Sequence, residues 1–224
     1  MTAPGTGRGV ITADGCAVEL YRQLPPLGEA EIVHAEVPAG ARILDLGCGT
    51  GRIAHRLIQL GHDVVALDQS ADMLACVRGA ETVCAPIAGL ELGTTFAAVL
   101  MASHLVNVPD DAERQAFLSV AARHLSVGGR LVAQWHPPAW FDRAVSGTSG
   151  AVGAVRVELA DVHFDRDLLD ATVRYRSGDD VWTQTFQARR LTESELRHDL
   201  RRAGLEFARW CVTDRTWFAA DLAA

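Results

Sequence analysis

The chain contains no lysine and no cluster of basic residues. All 21 of its Lys/Arg positions are therefore arginines, against 28 acidic residues, and the formal net charge is −7. The most basic segment that could be considered, Arg201-Arg202, falls in a predicted helix and is explained by a solvated helix face. Proteins that bind nucleic acid neutralise phosphates with clustered basic side chains, so we expect no nucleic-acid partner.

Cysteine is also sparse, and the chain lacks long apolar runs. The five cysteines are odd in number and none of them shows C-x-x-C spacing, which argues against a disulfide framework and against a zinc site. We therefore expect no bound metal. No apolar stretch approaches the length of a membrane span, and the N-terminus lacks the positive-then-apolar order of a signal peptide. These absences predict a cytoplasmic protein without a membrane partner.

Three glycines at alternating positions, Gly47, Gly49 and Gly51, follow an apolar run that carries one acid, Asp45. The apolar run predicts a buried parallel strand, and the pattern after the glycines predicts a helix. Glycine has no Cβ and tolerates positive φ, so a ligand can lie directly against such a turn. Free N–H groups at the start of the helix point toward the same place. The segment predicts a site for a nucleotide or nucleoside cofactor.

The spacing of these glycines differs from the dinucleotide fingerprint G-x-G-x-x-G. Arg52 occupies the place of the third glycine, which disfavours an NAD-dependent reductase. The segment ILDLGCGTGR (43–52) instead resembles motif I of the class I S-adenosylmethionine (SAM) dependent methyltransferases. The resemblance implies that Asp45 helps to hold the SAM ammonium group. It also implies that Arg52 and amides of the turn, which includes Cys48, face the SAM carboxylate.

A second motif of that family is visible in VVALDQSADML (64–74). Its apolar run predicts the next strand of a β-α-β unit, ending at Asp68. An acid at that strand tip can accept hydrogen bonds from both ribose hydroxyls, and the resemblance implies this role for Asp68. Gln69 is expected beside the ribose. Met73 would cover one face of the adenine or, equally, pack in the core of an amphipathic helix.

The other cofactor contacts are implied by the resemblance. A third strand, near 80–85, ends at Ala85, where the family usually has an Asp that contacts the adenine amino group. Backbone groups there and Pro86 would line the adenine instead. Ser103, after the fourth strand, completes the expected cofactor set. Tyr21 is expected on an N-terminal lid, where its hydroxyl could reach the SAM carboxylate or a substrate oxygen; surface anchoring is the alternative.

Length and composition frame the fold. A chain of 224 residues with 49% hydrophobic content suits one α/β domain with an elaboration. The resemblance implies a Rossmann-like, seven-stranded, mostly parallel sheet in a three-layer sandwich. Alternating polarity between 154 and 188 predicts three antiparallel strands inserted after strand five. We expect a mobile tail at 1–15, the methyltransferase core with its helical lid at 16–138, an insertion that caps the site or dimerises at 139–191, and the last core elements at 192–224.

Two histidines follow neighbouring strands, His104 after the fourth and His136 after the fifth. Ligands of doubly wound sheets bind at the carboxyl ends of the strands, so either imidazole could take a proton from a hydroxyl, an amine or an acidic carbon. Each histidine could instead merely cap its strand. If an imidazole with an ordinary pKa near ~6.5 were the base, the enzyme would lose activity below that pH, because the protonated ring cannot accept a proton. Trp135, Trp140 and Phe141 are expected to wall an apolar substrate pocket.

The sequence thus predicts a SAM-dependent methyltransferase acting on a small-molecule substrate, with S-adenosyl-L-homocysteine as product. The acceptor atom is expected to be O or N, with C also open, and the protein to be a monomer or a homodimer. Two alternatives stay open: an enzyme of the same fold that catalyses another reaction, such as a cyclisation, and a non-catalytic SAM-binding subunit. The intact glycines and acids of both motifs argue against the second alternative.

Overall fold

The computed structural model describes residues 4–223. Its helices are α1 (Val18–Tyr21), α2 (Glu29–Glu36), α3 (Arg52–Gln59), α4 (Ala71–Leu74), α5 (Asp111–His124), α6 (Pro138–Phe141) and α7 (Glu193–Arg202), with a 3-10 turn at Leu105–Asn107. Its strands are β1 (Gly5–Thr6), β2 (Arg42–Leu46), β3 (Asp63–Asp68), β4 (Glu81–Cys84), β5 (Phe96–Met101), β6 (Leu125–Gln134), β7 (Thr148–Val152), β8 (Val155–Asp165), β9 (Leu168–Ser177), β10 (Asp180–Arg189), β11 (Leu205–Trp210) and β12 (Trp217–Leu222).

A seven-stranded sheet in the order β11-β12-β6-β5-β2-β3-β4 forms the centre of the fold. The strands from β6 to β4 are parallel to their neighbours, whereas β12 and β11 are antiparallel. The strand order reverses between β2 and β5, so the loops after these strands diverge and leave a crevice at their carboxyl ends. The predicted Rossmann-like fold is confirmed.

The central strands are apolar along most of their length because helices cover both faces of the sheet. Ile43 of β2 and Leu100 of β5 pack with α2 and α3, whereas Leu44 and Val99 pack with α5 and α7. Successive strand residues point to opposite faces, so one apolar run serves both layers. The buried polar residue of β2 is Asp45, which is 2% exposed.

The antiparallel insertion is larger than the three predicted strands. Strands β7 to β10 pair consecutively, and β1 joins the far edge, giving the order β1-β10-β9-β8-β7. We call this sheet the cap sheet. The expected mobile tail at 1–15 needs correction, because Gly5 and Thr6 pair with Gln184 and Thr183 of β10. The first three residues of that prediction lie outside the described residues.

Two elements differ from what the local sequence pattern predicts. The pattern predicts a turn at 126–129 and the fifth core strand over 130–135, but β6 begins at Leu125, which pairs with Phe96 before the register shifts. Residues 126–129 are thus an irregularity within the strand. The pattern also predicts a short helix over 17–24, of which α1 forms only one turn, Val18–Tyr21. Within residues 4–223 no helix has both the length and the apolarity needed to cross a membrane.

Candidate active site

The glycine turn between β2 and α3 requires backbone conformations that other residues rarely adopt. Gly47, Gly49 and Gly51 have φ values of 72°, 56° and 83°. A Cβ on Gly49 would meet no atom within 4 Å, so the turn leaves open space on that side. A Cβ on Gly51 would instead press against His55 at 3.0 Å. Gly49 therefore borders the space that a ligand can occupy, and Gly51 permits close packing against α3.

Asp45 is buried beside this turn with an unsatisfied oxygen. Its Oδ2 has no hydrogen-bond partner, although the residue is only 2% exposed. Burial raises the pKa of Asp45 to about 7; Arg52 lowers it and Asp68 raises it further. A buried carboxyl group without a partner is unfavourable in the free protein. A cationic amine that donates to Oδ2 would satisfy it, so this acceptor fits the ammonium end of SAM.

Asp68 connects the end of β3 to the glycine turn. Its two carboxylate oxygens accept hydrogen bonds from the amides of Gly49 (2.9 Å) and Ser70 (2.8 Å). Each oxygen keeps a free lone pair, so the carboxylate can still accept from ribose hydroxyls. The Gly51 amide donates to the Cys48 carbonyl at 3.0 Å. The amides of Gly49 and Gly51 thus have partners within the protein, contrary to the expectation that they face the SAM carboxylate.

The expected adenine and ribose contacts lie at the ends of β3, β4 and β5. Gln69, Pro86 and Ser103 are exposed, and Ala85 is half-buried. The Ala85 amide donates to the Asp68 carbonyl at 3.1 Å, which holds the ends of β3 and β4 together. Met73 on α4 is 3% exposed, which favours core packing over a role in covering the adenine.

The lid residues are engaged differently from the expectation. The Tyr21 hydroxyl donates to Gln184 at 3.0 Å and accepts from the Cys16 thiol at 3.5 Å, so it faces the cap sheet. Burial raises the pKa of Tyr21 well above its ordinary value. Arg52 Nη1 donates to the Pro25 carbonyl and to the buried Glu29 carboxylate. Arg52 therefore holds the lid segment. A cavity of about 270 Å³ between lid and turn is lined by residues including Tyr21, Thr50, Arg52, His55 and Cys76.

The two candidate histidines lie against each other in a stack of three rings. The ring centroids of His104 and His136 are 3.4 Å apart, with planes inclined by 12°. His136 stacks in turn on Trp140 at 3.6 Å and 17°. The neighbouring positions of β5 and β6 in the sheet bring the two histidines together. His104 is strained into the left-handed region, with a φ of 61°. We call His104, His136 and Trp140 the ring stack.

Burial changes the proton chemistry of the ring stack. It lowers the pKa of His104 to about 4. Burial, followed by the adjacent His104, lowers the pKa of His136 to about 2. Both imidazoles are therefore neutral at neutral pH, each with one acceptor nitrogen. His104 Nδ1 is buried without a hydrogen-bond partner. The expected loss of activity near pH 6.5 does not follow from these values.

Two of the three expected pocket aromatics lie in the hydrophobic core. Trp135 is wholly buried, its Nε1 donates to the Arg215 carbonyl at 2.6 Å, and its ring stacks on Trp210. Trp135 therefore lies within the core, and its assignment to the pocket is wrong. Phe141 is 2% exposed and packs with the inner face of the cap sheet. Only Trp140 remains half-buried.

The sequence interpretation missed one residue that contacts this region, Asn107. It is 1% exposed at the end of the 3-10 turn. Its Oδ1 accepts from the His136 amide at 2.7 Å, and its Nδ2 donates to the carbonyls of His136 (3.3 Å) and Arg189 (2.9 Å). The only signal in the sequence was one amide residue within the apolar segment 105–108.

The chain is similar to known methyltransferases over this region. A family model described as a methyltransferase domain matches residues 43–129. The chain is 33% identical to a cypemycin N-terminal methyltransferase of a Streptomyces species, over 58% of this chain and 59% of the relative. It is 34% identical to the dTDP-3-amino-3,6-dideoxy-alpha-D-glucopyranose N,N-dimethyltransferase of Streptomyces fradiae, over 66% and 57%. Both matches span less than two thirds of the relative's length.

A solved structure extends the likeness to nearly the whole fold. It is the SAM-bound CalS10, an amino pentose methyltransferase of Micromonospora echinaspora, with a TM-score of 0.67 at 24% identity over 92% of each chain. Its likeness covers the cap sheet as well as the core. Residues 43–129 therefore carry a methyltransferase domain, and the glycine turn, Asp45 and Asp68 match the motifs of the class I SAM-dependent methyltransferases, whose cofactor is S-adenosyl-L-methionine.

Proposed function

We propose that this chain is an N-methyltransferase that acts on a small molecule carrying an amino group. The observation that carries the proposal is the ring stack at the carboxyl ends of β5 and β6, the edge of the sheet at which ligands of this fold bind. Its neutral imidazoles would lie beside the cofactor. The printed names of both curated relatives specify methylation of a nitrogen, and the structural neighbour acts on an amino pentose. These names support nitrogen as the acceptor atom, whereas other relatives of similar identity are named as O-methyltransferases, so the assay below compares the two atoms directly.

The cofactor's binding residues are proposed from the unsatisfied groups around the turn. Asp45 Oδ2 would accept from the SAM ammonium, because it is buried without another partner. Asp68 would accept from the ribose hydroxyls with its free lone pairs. Gln69, Ala85 and Pro86 would border the nucleoside, and Ser103 would lie at the sulfonium end of the same crevice. When bound, SAM supplies an electrophilic methyl group.

The imidazoles are proposed to orient the acceptor rather than to abstract its proton before transfer. A ring with a pKa near 2 or 4 is a weak base, but its neutral nitrogen accepts a hydrogen bond from an amine N–H. That bond would aim the amine lone pair at the methyl group. Alignment of this kind contributes a large part of the barrier reduction in methyl transfer. The amine must then arrive in its neutral form, and the product can lose its proton to water after release.

The cap sheet is proposed to close the substrate side of the crevice. Leu169, Ala171 and Ala188 of its inner face pack on Phe141, next to the ring stack. The opposite part of the sheet packs on the lid through Trp182 and Leu20. Both contacts support a cap, because they attach the sheet to segments next to the ring stack and the lid of the same chain. We therefore favour a cap over a dimerisation element for residues 139–191.

A mass-spectrometric assay tests the proposed function. The protein is incubated with SAM and matched pairs of small molecules, one carrying an amino group and the other a hydroxyl group at the same position; amino sugars and their parent sugars form such pairs. We expect the amine to gain one or two methyl groups while S-adenosylhomocysteine accumulates. Methylation of the hydroxyl partner alone would contradict the nitrogen assignment. An isomerised substrate with SAM unconsumed would indicate the alternative non-methylating class.

A further inference from the structure

Asn107 links three parts of the molecule through one buried side chain. Its amide group and the His136 peptide form a reciprocal pair: His136 N–H donates to Oδ1 at 2.7 Å, and Nδ2 donates to the His136 carbonyl at 3.3 Å. The second Nδ2 proton goes to the Arg189 carbonyl at 2.9 Å, at the last residue of β10. The amide thus uses both of its donor protons and its acceptor oxygen.

The same residue also holds the other histidine. The Asn107 backbone amide donates to the His104 carbonyl at 2.8 Å, closing the turn in which His104 is left-handed. His104 and His136 are therefore fixed relative to each other by the backbone and the side chain of one residue. The ring stack extends beyond the end of β6, where the regular ladder between β5 and β6 has ended. The Asn107 side chain takes the place of a neighbouring strand's peptide for His136.

The cap sheet is fastened at this point as well. Arg189 Nε donates to the Pro109 carbonyl at 2.8 Å, so β10 is joined to the segment after β5 by this bond and by its carbonyl bond to Asn107. A displacement of β10 would therefore act on Asn107, and through it on the His136 peptide. Since β10 belongs to the sheet proposed to cover the acceptor, the contact connects the cover to the imidazoles.

We infer that Asn107 is a positioning residue, which fixes the His136 imidazole against the acceptor and couples its placement to closure by the cap sheet. This inference rests on the proposed function. Asn107 is 1% exposed and every polar atom of its side chain already has a protein partner, so it acts through His136. Misplacement of an aligning group by about 1 Å can reduce turnover about 10²-fold without weakening cofactor binding.

The test compares Asn107→Asp and Asn107→Ala with a matched control, Leu200→Ala. The aspartate keeps the acceptor for the His136 amide but places an oxygen against two carbonyl oxygens; the alanine removes all three bonds. Leu200 is wholly buried on α7, which carries none of the groups bonded to His136, so its truncation reduces stability through a cavity. We expect a fall in kcat of about 10²-fold for both Asn107 variants, an unchanged affinity for S-adenosylhomocysteine, and near-normal kcat for the control.

A second readout is independent of turnover. In the wild type the His136 ring protons lie over Trp140, whose ring current shifts their NMR resonances upfield. These resonances are assigned by their loss in His136→Gln. We expect the upfield shift to be lost in folded Asn107→Asp or Asn107→Ala and kept in Leu200→Ala. Retained shifts, or a kcat no lower than that of the control, would overturn the inference. If the wild type transferred no methyl group, the proposed function would fail, while the NMR comparison would still decide the positioning role.

Discussion

The Asp68 carboxylate accepts a hydrogen bond from the Gly49 amide at 2.9 Å, which joins the tip of β3 to the turn after β2. The acid expected to bind the ribose therefore also shapes the turn against which the cofactor lies. The second oxygen of Asp68 holds the amide of Ser70, whose hydroxyl caps α4. Cofactor binding and local structure thus depend on the same carboxylate.

This double role yields a prediction for Asp68. Asp68→Ala should weaken binding of S-adenosylhomocysteine by roughly 1.5–3 kcal/mol, because charge-assisted bonds to the ribose are lost. Asp68→Asn should weaken it less, since the amide oxygen can still accept from Gly49. Calorimetric titration measures both values, with Asp72→Asn on the exposed side of α4 as the control. Wild-type affinity in Asp68→Ala would show that the ribose lies elsewhere.

Asp45 should make cofactor binding depend on pH. With a pKa of about 7 in the free protein, Asp45 is partly protonated at neutral pH, whereas a bound ammonium group favours its ionised form. We therefore expect proton release on binding and an affinity that falls as the pH drops below about 7. Calorimetry in buffers of different ionisation enthalpy measures the released proton. Asp45→Asn should bind weakly and without this dependence; an unchanged pH dependence in that variant would assign the proton to another group.

The sequence predicted most of the features that depend on local pattern. The bounds of β2, β3 and β5 follow from apolar runs, and Thr192 with Glu195 three residues later is the sequence pattern of the capping box that begins α7. The contact between His104 and His136 follows from the order of the strands in the sheet. Features that depend on contacts distant in sequence were missed. Gly5 pairs with Gln184, for example, and nothing in the sequence around either residue indicates that the two segments pair.

The side-chain directions at the end of β6 could not be predicted either. The sequence does not distinguish Trp135 from Trp140 as a pocket residue, because both are tryptophans close to the end of the same strand. The structure distinguishes them, because Trp135 stacks on Trp210 in the core. The low pKa values of the imidazoles result from burial by the folded chain. Arg52 was assigned to the cofactor from its place in the motif. Its ion pair with Glu29, 23 positions earlier, depends on the docking of α2.

The half-buried imidazole of His104, whose Nδ1 is buried without a hydrogen-bond partner, should make stability depend on pH. Its pKa is about 4 when folded and near ~6.5 when unfolded, so the unfolded chain binds more protons between these values. Stability from this group is complete above pH 6.5 and falls as the pH drops, by on the order of 3 kcal/mol at pH 4. Asp45 has the opposite effect on stability over the same range: because its pKa is raised in the folded protein, its contribution to stability increases as the pH falls.

The measured quantity is therefore the free energy of unfolding, obtained from urea unfolding of the wild type and of His104→Gln at several pH values. As the pH falls from 6.5 to 4, the wild type should lose more of this free energy than the variant does. A difference that stays constant over this interval would mean that His104 can take up a proton in the folded protein. Asp45 is present in both chains, so its contribution cancels.

Replacement of His136 should affect turnover and not cofactor binding. His136→Ala removes the proposed hydrogen-bond acceptor for the amine, and we expect kcat to fall roughly 10²-fold. S-adenosylhomocysteine affinity should remain within error, because Asp45 and Asp68 are untouched. His163, exposed on the outer part of the cap sheet, offers a control in His163→Ala. Equal turnover in the two variants would remove His136 from the mechanism.

The position of bound S-adenosylhomocysteine, the product formed from the cofactor, tests the account most directly. A crystal structure with S-adenosylhomocysteine should place its amino group against Asp45 Oδ2, its ribose hydroxyls on Asp68, and its sulfur toward the ring stack. That arrangement would put the missing methyl group between the sulfur and an acceptor held by His104 or His136. A product whose sulfur faces away from both imidazoles, or whose amino group leaves Asp45 Oδ2 without a partner, would contradict the account.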